Sequence, residues 1–215
     1  MEIGRMLLLM QRESSRRGAP VLSVESAIGR GPFAILVFTV LSARTRDETT
    51  IKAGRKLLAR APTPQKLSRL TAAQIQKLVY PVGFYKTKAR HLHALAHKLI
   101  SEFGGRVPSS FESLTSLPGV GRKTANIVLA SAFGKHTIGV DTHVHRISNR
   151  LGLVKTKSPE KTNDILDKII PDKYKKKLNI SMVAFGQTVC TPLHPKCSEC
   201  PLSKDCPKIG VRSSR

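Results

Sequence analysis

Apolar residues recur every three to four positions through most of the chain, and this spacing predicts a series of amphipathic helices. The longest covers about residues 86–102 and stops at a glycine pair. Shorter ones are predicted at about 2–13, 142–151, 159–169 and 172–188, with a basic, polar connector after the first. No segment alternates strictly between apolar and polar residues, as a half-buried strand would. The pattern therefore predicts an all-α protein, and the C-terminal VRSSR is predicted to be a frayed tail.

One stretch near the N-terminus, GPFAILVFTVLSA from Gly31, is apolar on every face. Periodicity alone cannot separate a buried helix from a buried strand, and the Val, Ile and Thr residues mildly favour a strand. Because the stretch is long and its surroundings are helical, we predict a central buried helix. Its apolar run is too short to cross a bilayer, and the residues before it do not resemble a secretory signal.

Polar residues that cap helices mark several of the predicted starts. Side chains of Ser, Thr and Asp accept hydrogen bonds from the first N–H groups of a helix, and proline fits its first turn. A Ser or Thr with Glu or Gln three residues later can form a capping box. On this basis helices are predicted to start at Asp47, Thr63-Pro64, Thr71 with Gln74, Ser109 with Glu112, Asp141 and Ser158-Pro159.

The chain carries 37 lysines and arginines against 14 aspartates and glutamates, which gives a formal net charge of +23. An excess of this size favours a polyanionic partner such as DNA, RNA or an anionic membrane. The plain alternative is a solvated basic surface. That alternative is weakened because the acidic residues are too few to pair with the cations.

The most informative stretch is LPGVGRKTAN, residues 117–126. A turn with two glycines, Gly119 and Gly121, can adopt backbone angles that other residues avoid. A helix that starts directly after the turn points its N–H groups and its positive dipole end toward it. With Arg122 beside it, this arrangement is suited to grip a DNA phosphate without reading the bases, although a GxG turn alone is common.

Lys123 and Asp141 are the candidates for chemistry. Lys123 follows the glycine turn, and Asp141 comes eighteen residues later at the start of the next predicted helix. A lysine with a neutral amine can attack C1′ of a deoxyribose and form a Schiff base. A nearby carboxylate can stabilise positive charge on the sugar or move protons. The plain alternatives are a surface lysine and an aspartate that only caps its helix.

All four cysteines lie close together near the C-terminus, with gaps of six, two and five residues. A cluster of this kind indicates metal binding, and either a tetrahedral zinc ion or an iron–sulfur cluster suits four thiolates. Disulfides are a poorer interpretation. The loop between the first two cysteines contains Lys196 and His194, which could touch a phosphate, and His194 is equally typical of a plain surface residue.

Together these motifs resemble the endonuclease III family of base-excision DNA glycosylases. The resemblance rests on LPGVGRKTAN, VDTHVHR, VLSARTRD, VGFYKTKA and the cysteine spacing, and it covers about residues 20–208. It implies an all-α fold of two domains. One is a six-helix barrel at 27–135, with a helix–hairpin–helix at about 110–134. The other joins residues 1–26 to 136–215 around one 4Fe-4S cluster, and DNA enters the cleft between the two.

The resemblance also implies roles for individual residues. Lys123 falls on the family's lysine nucleophile and Asp141 on its essential aspartate. Asp47 and His143 fall near the base pocket. The implied cluster ligands are Cys190, Cys197, Cys200 and Cys206. The implied DNA contacts are Gly119, Gly121, Arg122, Arg44, Phe84 and Lys196.

Two of these DNA contacts depart from the family pattern. Arg44 stands where glutamine is usual, and Phe84 stands where leucine or isoleucine is usual. A guanidinium or an aromatic ring can still fill a gap in a base stack. Contacts to the base opposite the lesion could therefore differ from those of the family, and the sequence leaves the opposite-base preference open. The alternative for Phe84 is a residue of the apolar core.

The implied activity is that of a DNA N-glycosylase and AP lyase that removes oxidised pyrimidines from duplex DNA. It would cut the strand 3′ to the abasic site by β-elimination through a lysine Schiff base. Mismatch thymine glycosylases usually carry tyrosine at the lysine position, and adenine glycosylases carry a further C-terminal domain that nothing after Cys206 could form. The alternative from another class is a non-catalytic DNA-binding metalloprotein. We expect a monomer in the prokaryotic cytoplasm, bound to damaged or abasic DNA of the nucleoid and to no membrane.

Overall fold

The computed structural model describes residues 2–28 and 31–215, and every regular element in that part of the chain is a helix. The prediction of an all-α protein is confirmed. None of these helices is both long and apolar enough to pass through a membrane. In chain order they are α1 (Ile3–Arg16), α2 (Pro20–Ala27), α3 (Pro32–Ser42), α4 (Asp47–Arg60), α5 (Pro64–Ser68), α6 (Ala72–Val79), α7 (Tyr85–Phe103), α8 (Phe111–Thr115), α9 (Arg122–Phe133), α10 (Thr142–Arg150), α11 (Pro159–Ile169) and α12 (Asp172–Thr188).

The chain divides into two compact units. The hairpin unit is Ser23–Lys135, and the cysteine unit joins Met1–Leu22 to His136–Arg215. The sequence predicted the first boundary between residues 26 and 27. In the structure the two units divide between Leu22 and Ser23, which lie inside α2. Each unit has its own apolar core.

The core of the hairpin unit surrounds α3, in which every residue from 35 to 41 is buried. This helix packs against α4, α7 and α9. Gly54 of α4 makes room for the ring of Phe38, because a Cβ at Gly54 would collide with that ring. The prediction of a central buried helix is confirmed, and the alternative of a buried strand is wrong.

The core of the cysteine unit forms where α1 packs along α12 and α10 packs between α11 and α12. Met6 and Met10 of α1 are buried with Leu178 and Met182 of α12. Cys190 and Cys200 pack against the same core from the side. The N-terminal and C-terminal parts of the chain therefore share one core, and the cysteine loop is anchored to it.

Four of the six predicted helix caps are confirmed. Thr63 accepts from the N–H of Lys66, Ser158 from the N–H of Lys161, and Asp141 caps α10. Thr71 and Gln74 form the complete capping box, with distances of 3.2 and 2.8 Å.

Two predicted caps are wrong by one residue. Asp47 is the first residue of α4, and the preceding Arg46 makes no side-chain cap. Ser110 caps α8 by accepting from the N–H of Ser113, so Ser109 is not the cap. Two adjacent serines offer two registers for the same helix start, and the sequence pattern does not distinguish them.

The predictions for two terminal segments are also wrong. The connector after α1 contains a second helix, α2, which begins with proline in the position that suits it. The C-terminal tail was expected to fray. Instead, the N–H of Arg215 donates to the carbonyl of Pro195 at 2.9 Å, and the carbonyl of Arg215 accepts from the N–H of Ser198 at 3.0 Å. The tail is therefore tied to the cysteine loop by backbone hydrogen bonds.

Candidate active site and cysteine loop

The glycine turn between α8 and α9 needs glycine at one of its two positions. Gly119 has φ of +79°, in the left-handed region, and a Cβ there would also meet the ring of His91. Gly121 has an ordinary extended conformation with φ of −94°, so the expectation of unusual backbone angles is wrong for it. The N–H of Val120 donates to the carbonyl of Leu117 and closes the turn.

Gly121 occupies the N-cap position of α9 and has no side chain with which to cap the helix. Apart from Gly121 itself and its two neighbours in the chain, no described atom lies within 4 Å of the point where a Cβ on Gly121 would stand. There is therefore open space on the side of Gly121 where a side chain would project. A helix N-terminus with room in front of it is suited to an anion such as a backbone phosphate.

Lys123 is the second residue of α9 and lies in its first turn, directly behind Gly121. Its side chain is half-buried, whereas Arg122 beside it is exposed. Within residues 2–28 and 31–215, no carboxylate lies within ion-pair distance of the Lys123 amine. The amine is therefore not committed to a structural ion pair in the hairpin unit.

Asp141 caps α10 through one of its two carboxylate oxygens. Oδ1 accepts from the N–H groups of His143 and Val144, both at 2.9 Å. The residue is half-buried. Since capping uses only Oδ1, the cap and a catalytic role are compatible. Asp141 belongs to the cysteine unit and Lys123 to the hairpin unit, so their joint action remains a prediction from the sequence.

The two residues predicted near the base pocket also belong to different units. His143 lies in the first turn of α10, where its Nδ1 is 3.2 Å from an Arg146 nitrogen. Gly186 of α12 leaves room for the His143 ring, because a Cβ there would collide with it. Asp47 is half-buried at the first position of α4. Their roles at a base pocket remain predictions.

Arg44 and Phe84 lie together although they are forty residues apart in the chain. The guanidinium carbon of Arg44 is 5.5 Å from the centroid of the Phe84 ring. Both residues have positive φ, +51° and +57°, without being glycine. Phe84 is 62% exposed, so the alternative that placed it in the core is wrong. The two departures from the family pattern thus form one exposed cation–π pair.

The four cysteine side chains line one cavity, together with apolar side chains of α10, α12 and the loop. None of them forms a disulfide. Burial, together with the charges of the other three cysteines, raises the pKa of Cys200 to about 11. Burial likewise raises the pKa of Cys206. Bringing four thiolates together here therefore requires a positive centre among them.

The donor set fits a metal group that is held by four thiolates. Four cysteines around a shared, largely apolar cavity suit either a tetrahedral zinc ion or an iron–sulfur cluster.

Two arginines that the sequence analysis missed support this loop from α10. Arg150 is buried and donates to Cys190 Sγ at 3.4 Å and to the carbonyls of Thr191 and Pro192. Arg146 donates to the carbonyl of Cys190 at 2.8 Å, and burial lowers its pKa. The sequence signal for the two arginines is their spacing of four residues, which places both side chains on the same side of α10.

Lys196 and His194 lie on the segment between the first two cysteines. The backbone N–H of Lys196 donates to the carbonyl of Val189 at 3.0 Å, which closes the loop. His194 is exposed, has φ of +48°, and its Nδ1 is 3.0 Å from the hydroxyl of Ser213 in the tail. Contact of either side chain with DNA remains a prediction.

Comparison with known proteins gives matches at the level of family, sequence and structure. Residues 37–172 match the model of the HhH-GPD superfamily base excision DNA repair proteins. Endonuclease III of Thermotoga maritima is 49% identical over 175 residues, which are 81% of this chain and 82% of that protein. Endonuclease III of Synechocystis is 40% identical over 177 residues, 82% and 81% of the two chains. A solved trapped endonuclease III–DNA covalent intermediate aligns with a TM-score of 0.80 and 36% identity, over 84% of this chain and 85% of that chain.

The chain therefore belongs to the HhH-GPD superfamily of base excision DNA repair proteins, and within it to the endonuclease III family of DNA glycosylase/AP lyases. The resemblance that the motifs indicated is thereby confirmed. Family membership identifies the class of enzyme.

Proposed function

We propose that this enzyme removes oxidised pyrimidines from duplex DNA and then cuts the strand 3′ to the abasic site. The observation that supports this most strongly is the position of Lys123 in the first turn of α9, behind the glycine turn. A phosphate held at that turn would bring a deoxyribose close to the amine. A solved endonuclease III–DNA complex is a trapped covalent intermediate, which is the kind of species that a lysine nucleophile forms.

In the proposed reaction, the neutral amine of Lys123 attacks C1′ of the damaged nucleotide. The bond between C1′ and the base breaks, and the base leaves with the electron pair and takes up a proton. Asp141 stabilises positive charge on the sugar as the base departs. The sugar ring then opens to a Schiff base between C1′ and the lysine nitrogen. Loss of a C2′ proton expels the 3′ phosphate, which is the β-elimination that cuts the strand.

The damaged base must first leave the stack, because its glycosidic bond is unreachable inside the duplex. Flipping costs a few kcal/mol, and a poorly paired base costs less. We propose that the α9 N-terminus with Arg122 grips the backbone, and that Arg44 and Phe84 enter the gap. Lys196 would add a contact from the cysteine loop. The net charge of +23 supports a DNA partner for a monomeric enzyme.

We further propose that one 4Fe-4S cluster is held by Cys190, Cys197, Cys200 and Cys206. When bound, the cluster supplies four iron–sulfur bonds that cross-link the loop. Arg150 and the C-terminal tail hold the same loop through hydrogen bonds to its backbone. The role of this assembly is structural, since the proposed reaction contains no redox step.

A panel of duplexes with defined lesions tests the proposal. Each duplex carries thymine glycol, dihydrouracil, uracil, a mismatched thymine or an abasic site, and base release and strand cleavage are scored separately. We expect release and cleavage together on oxidised pyrimidines, and cleavage alone on the abasic duplex. Release from a mismatched thymine without cleavage would contradict the proposal in favour of a thymine glycosylase.

A second measurement separates catalysis from binding alone. Borohydride reduces a Schiff base to a stable adduct, so we expect a covalent protein–DNA complex on the abasic duplex. Binding to that duplex without any adduct or cleavage would identify a non-catalytic DNA-binding metalloprotein. Lys123→Ala is the matched control: it should lose the adduct and the cleavage and still bind the duplex.

A further inference from the structure

The amine of Lys88 is buried in the hairpin unit. Lys88 lies on the apolar face of α7, in register with Leu92, Leu95 and Leu99, and only 7% of it is exposed. In the described part of the chain no carboxylate pairs with it. A buried ammonium group without a counter-ion is costly, so its hydrogen bonds must satisfy it.

Those hydrogen bonds are directed to the end of α3 and the loop that follows. Lys88 Nζ donates to the carbonyls of Leu41 and Ala43, at 2.7 and 2.5 Å, and to Thr45 Oγ1 at 2.9 Å. The last carbonyls of a helix have no partners within it, and a cation there also complements the helix dipole. Lys88 therefore caps α3 from another helix and fixes the α3–α4 loop, residues 43–46.

Thr45 links this loop to the α6–α7 loop, residues 80–84. Its Oγ1 also accepts from the backbone N–H of Gly83, at 3.1 Å. A Cβ on Gly83 would collide with the carbonyl oxygen of Arg44, so the two backbones touch. The hydroxyl of Thr45 thus lies between the Lys88 amine and the second loop, and one hydrogen-bonded network joins both loops to α7.

The two joined loops carry Arg44 and Phe84, the exposed cation–π pair described above. A non-glycine residue with positive φ is strained and persists only where its surroundings enforce it. Both residues of the pair have positive φ. The hydrogen bonds of Lys88, Thr45 and Gly83 contact both loops directly beside these two residues.

We propose that Lys88 is a positioning residue, which locks the two loops together so that Arg44 and Phe84 enter the DNA stack as one preformed pair. The inference rests on the proposed function, because it assumes that this pair inserts into DNA. Lys88 itself touches no DNA in this proposal. Because Lys88 already holds the two loops in place, binding does not carry the entropic cost of ordering them. Affinity therefore rises without a new contact to DNA.

The test is Lys88→Met, which keeps a long unbranched side chain and removes the amine. The matched control is Lys98→Met on the same helix, a partly exposed lysine that pairs with Glu102 at 3.6 Å. Binding to a duplex with a tetrahydrofuran abasic analogue is measured by fluorescence anisotropy at several salt concentrations. Cleavage of an abasic duplex is measured in single turnover at saturating enzyme.

We expect Lys88→Met to weaken binding about tenfold while the cleavage rate at saturation stays within about twofold, because lost preorganisation affects binding. The dependence of log K on log salt should keep its wild-type slope. A slope lower by about one would instead identify Lys88 as a phosphate contact and overturn the proposal. Affinity equal to that of Lys98→Met would overturn it as well.

A double-mutant cycle shows whether Lys88 acts through the exposed pair. In a background of Arg44→Ala and Phe84→Ala, Lys88→Met should cause little further loss of affinity. A full tenfold loss in that background would contradict the proposal.

Thr45→Val tests the same idea if Lys88→Met does not fold. It removes the hydroxyl that links the two loops, and Thr45 is only partly buried. A milder loss with unchanged slope is expected, and wild-type affinity would overturn the proposal.

The failure of this inference differs from the failure of the proposed function. If the wild-type enzyme does not cleave the abasic duplex or prefer it to undamaged DNA, the proposed function is wrong. If it does both and Lys88→Met and Thr45→Val behave as the wild type, only the role of Lys88 is wrong.

Discussion

The two carboxylate oxygens of Asp141 are used differently, and this difference allows its two roles to be separated by mutation. Oδ1 accepts two backbone N–H groups at the start of α10. Asparagine is as good an N-cap as aspartate but carries no charge. An Asp141→Asn variant therefore keeps the cap and loses only the electrostatic contribution.

We expect Asp141→Asn to slow base release by about a hundredfold, since one preorganised charge at a developing cation has an effect of that size. Its melting temperature should stay near the wild-type value. Asp141→Ala is the companion variant, and it should also lose about 1 kcal/mol of stability with the cap. Wild-type turnover in Asp141→Asn would reduce this residue to a helix cap.

The Lys88 amine gives a second prediction at the scale of a single residue. Burial lowers its pKa from 10.5 to about 8. Between about pH 8 and 10.5, the unfolded chain keeps a proton that the folded chain has lost, so the Lys88 contribution to stability rises with pH in that window. The rise is on the order of 3 kcal/mol.

Denaturant unfolding at several pH values measures this effect. The stability of the wild type relative to Lys88→Met should increase from about pH 8 to about pH 10, because only the wild type has this titrating group. Lys98→Met should follow the wild-type curve. A constant difference between wild type and Lys88→Met across the window would contradict the shifted pKa.

At the scale of elements, the start of α9 combines a strained turn with an open helix end. Gly119 needs its left-handed conformation, whereas Gly121 has ordinary angles and faces open space. The two glycines therefore serve different purposes, one for the fold and one for the space in front of the helix. The sequence pattern could not separate them, because both are simply glycines in a turn.

Alanine at each glycine tests this distinction. Gly119→Ala should cost about 1–3 kcal/mol of stability, because its φ is positive and the new methyl group meets His91. Gly121→Ala should cost less than about 1 kcal/mol and weaken DNA binding about tenfold, because the methyl group enters the space for phosphate. Equal losses of stability in the two variants would contradict the assignment.

The helices and their ends show how far the sequence predicted the fold. Helix existence and most caps followed from periodicity and capping residues, as in α6 and α11, whereas α3 followed from the length of its apolar run and its helical surroundings. Two of the wrong predictions concern choices that the pattern leaves open: the register at Ser109 and Ser110, and the order of the tail. The tail is fixed by long-range backbone hydrogen bonds, and Lys88 is satisfied by carbonyls that lie far away in the chain. Such partners are set by packing and leave no local sequence signal.

In the whole molecule each unit has its own apolar core, and the cysteine loop packs against the core of the cysteine unit. The loop is held by Arg150, by the tail and, in our proposal, by the cluster. Cys197→Ser should remove the brown colour and most of the iron, about four atoms per chain in the wild type, and lower the melting temperature. A stable, fully coloured variant would contradict the ligand assignment.

The net charge is also a property of the whole molecule, and it predicts strong salt dependence. Affinity for undamaged duplex should fall by about a thousandfold between roughly 50 and 200 mM salt, as release of counterions from several phosphate contacts requires. The measurement is a titration followed by anisotropy at each salt concentration. Affinity that barely changes with salt would mean that the basic residues form a solvated surface.

The central claim is that the Lys123 nitrogen becomes bonded to C1′ of a deoxyribose. The most direct measurement is to reduce the enzyme–abasic DNA complex with borohydride, digest it, and locate the modified residue by mass spectrometry. We expect the deoxyribose remnant to be attached to Lys123 alone and Lys123→Ala to give no adduct. Attachment to another lysine or to the N-terminal amine, or an adduct that persists in Lys123→Ala, would contradict this claim.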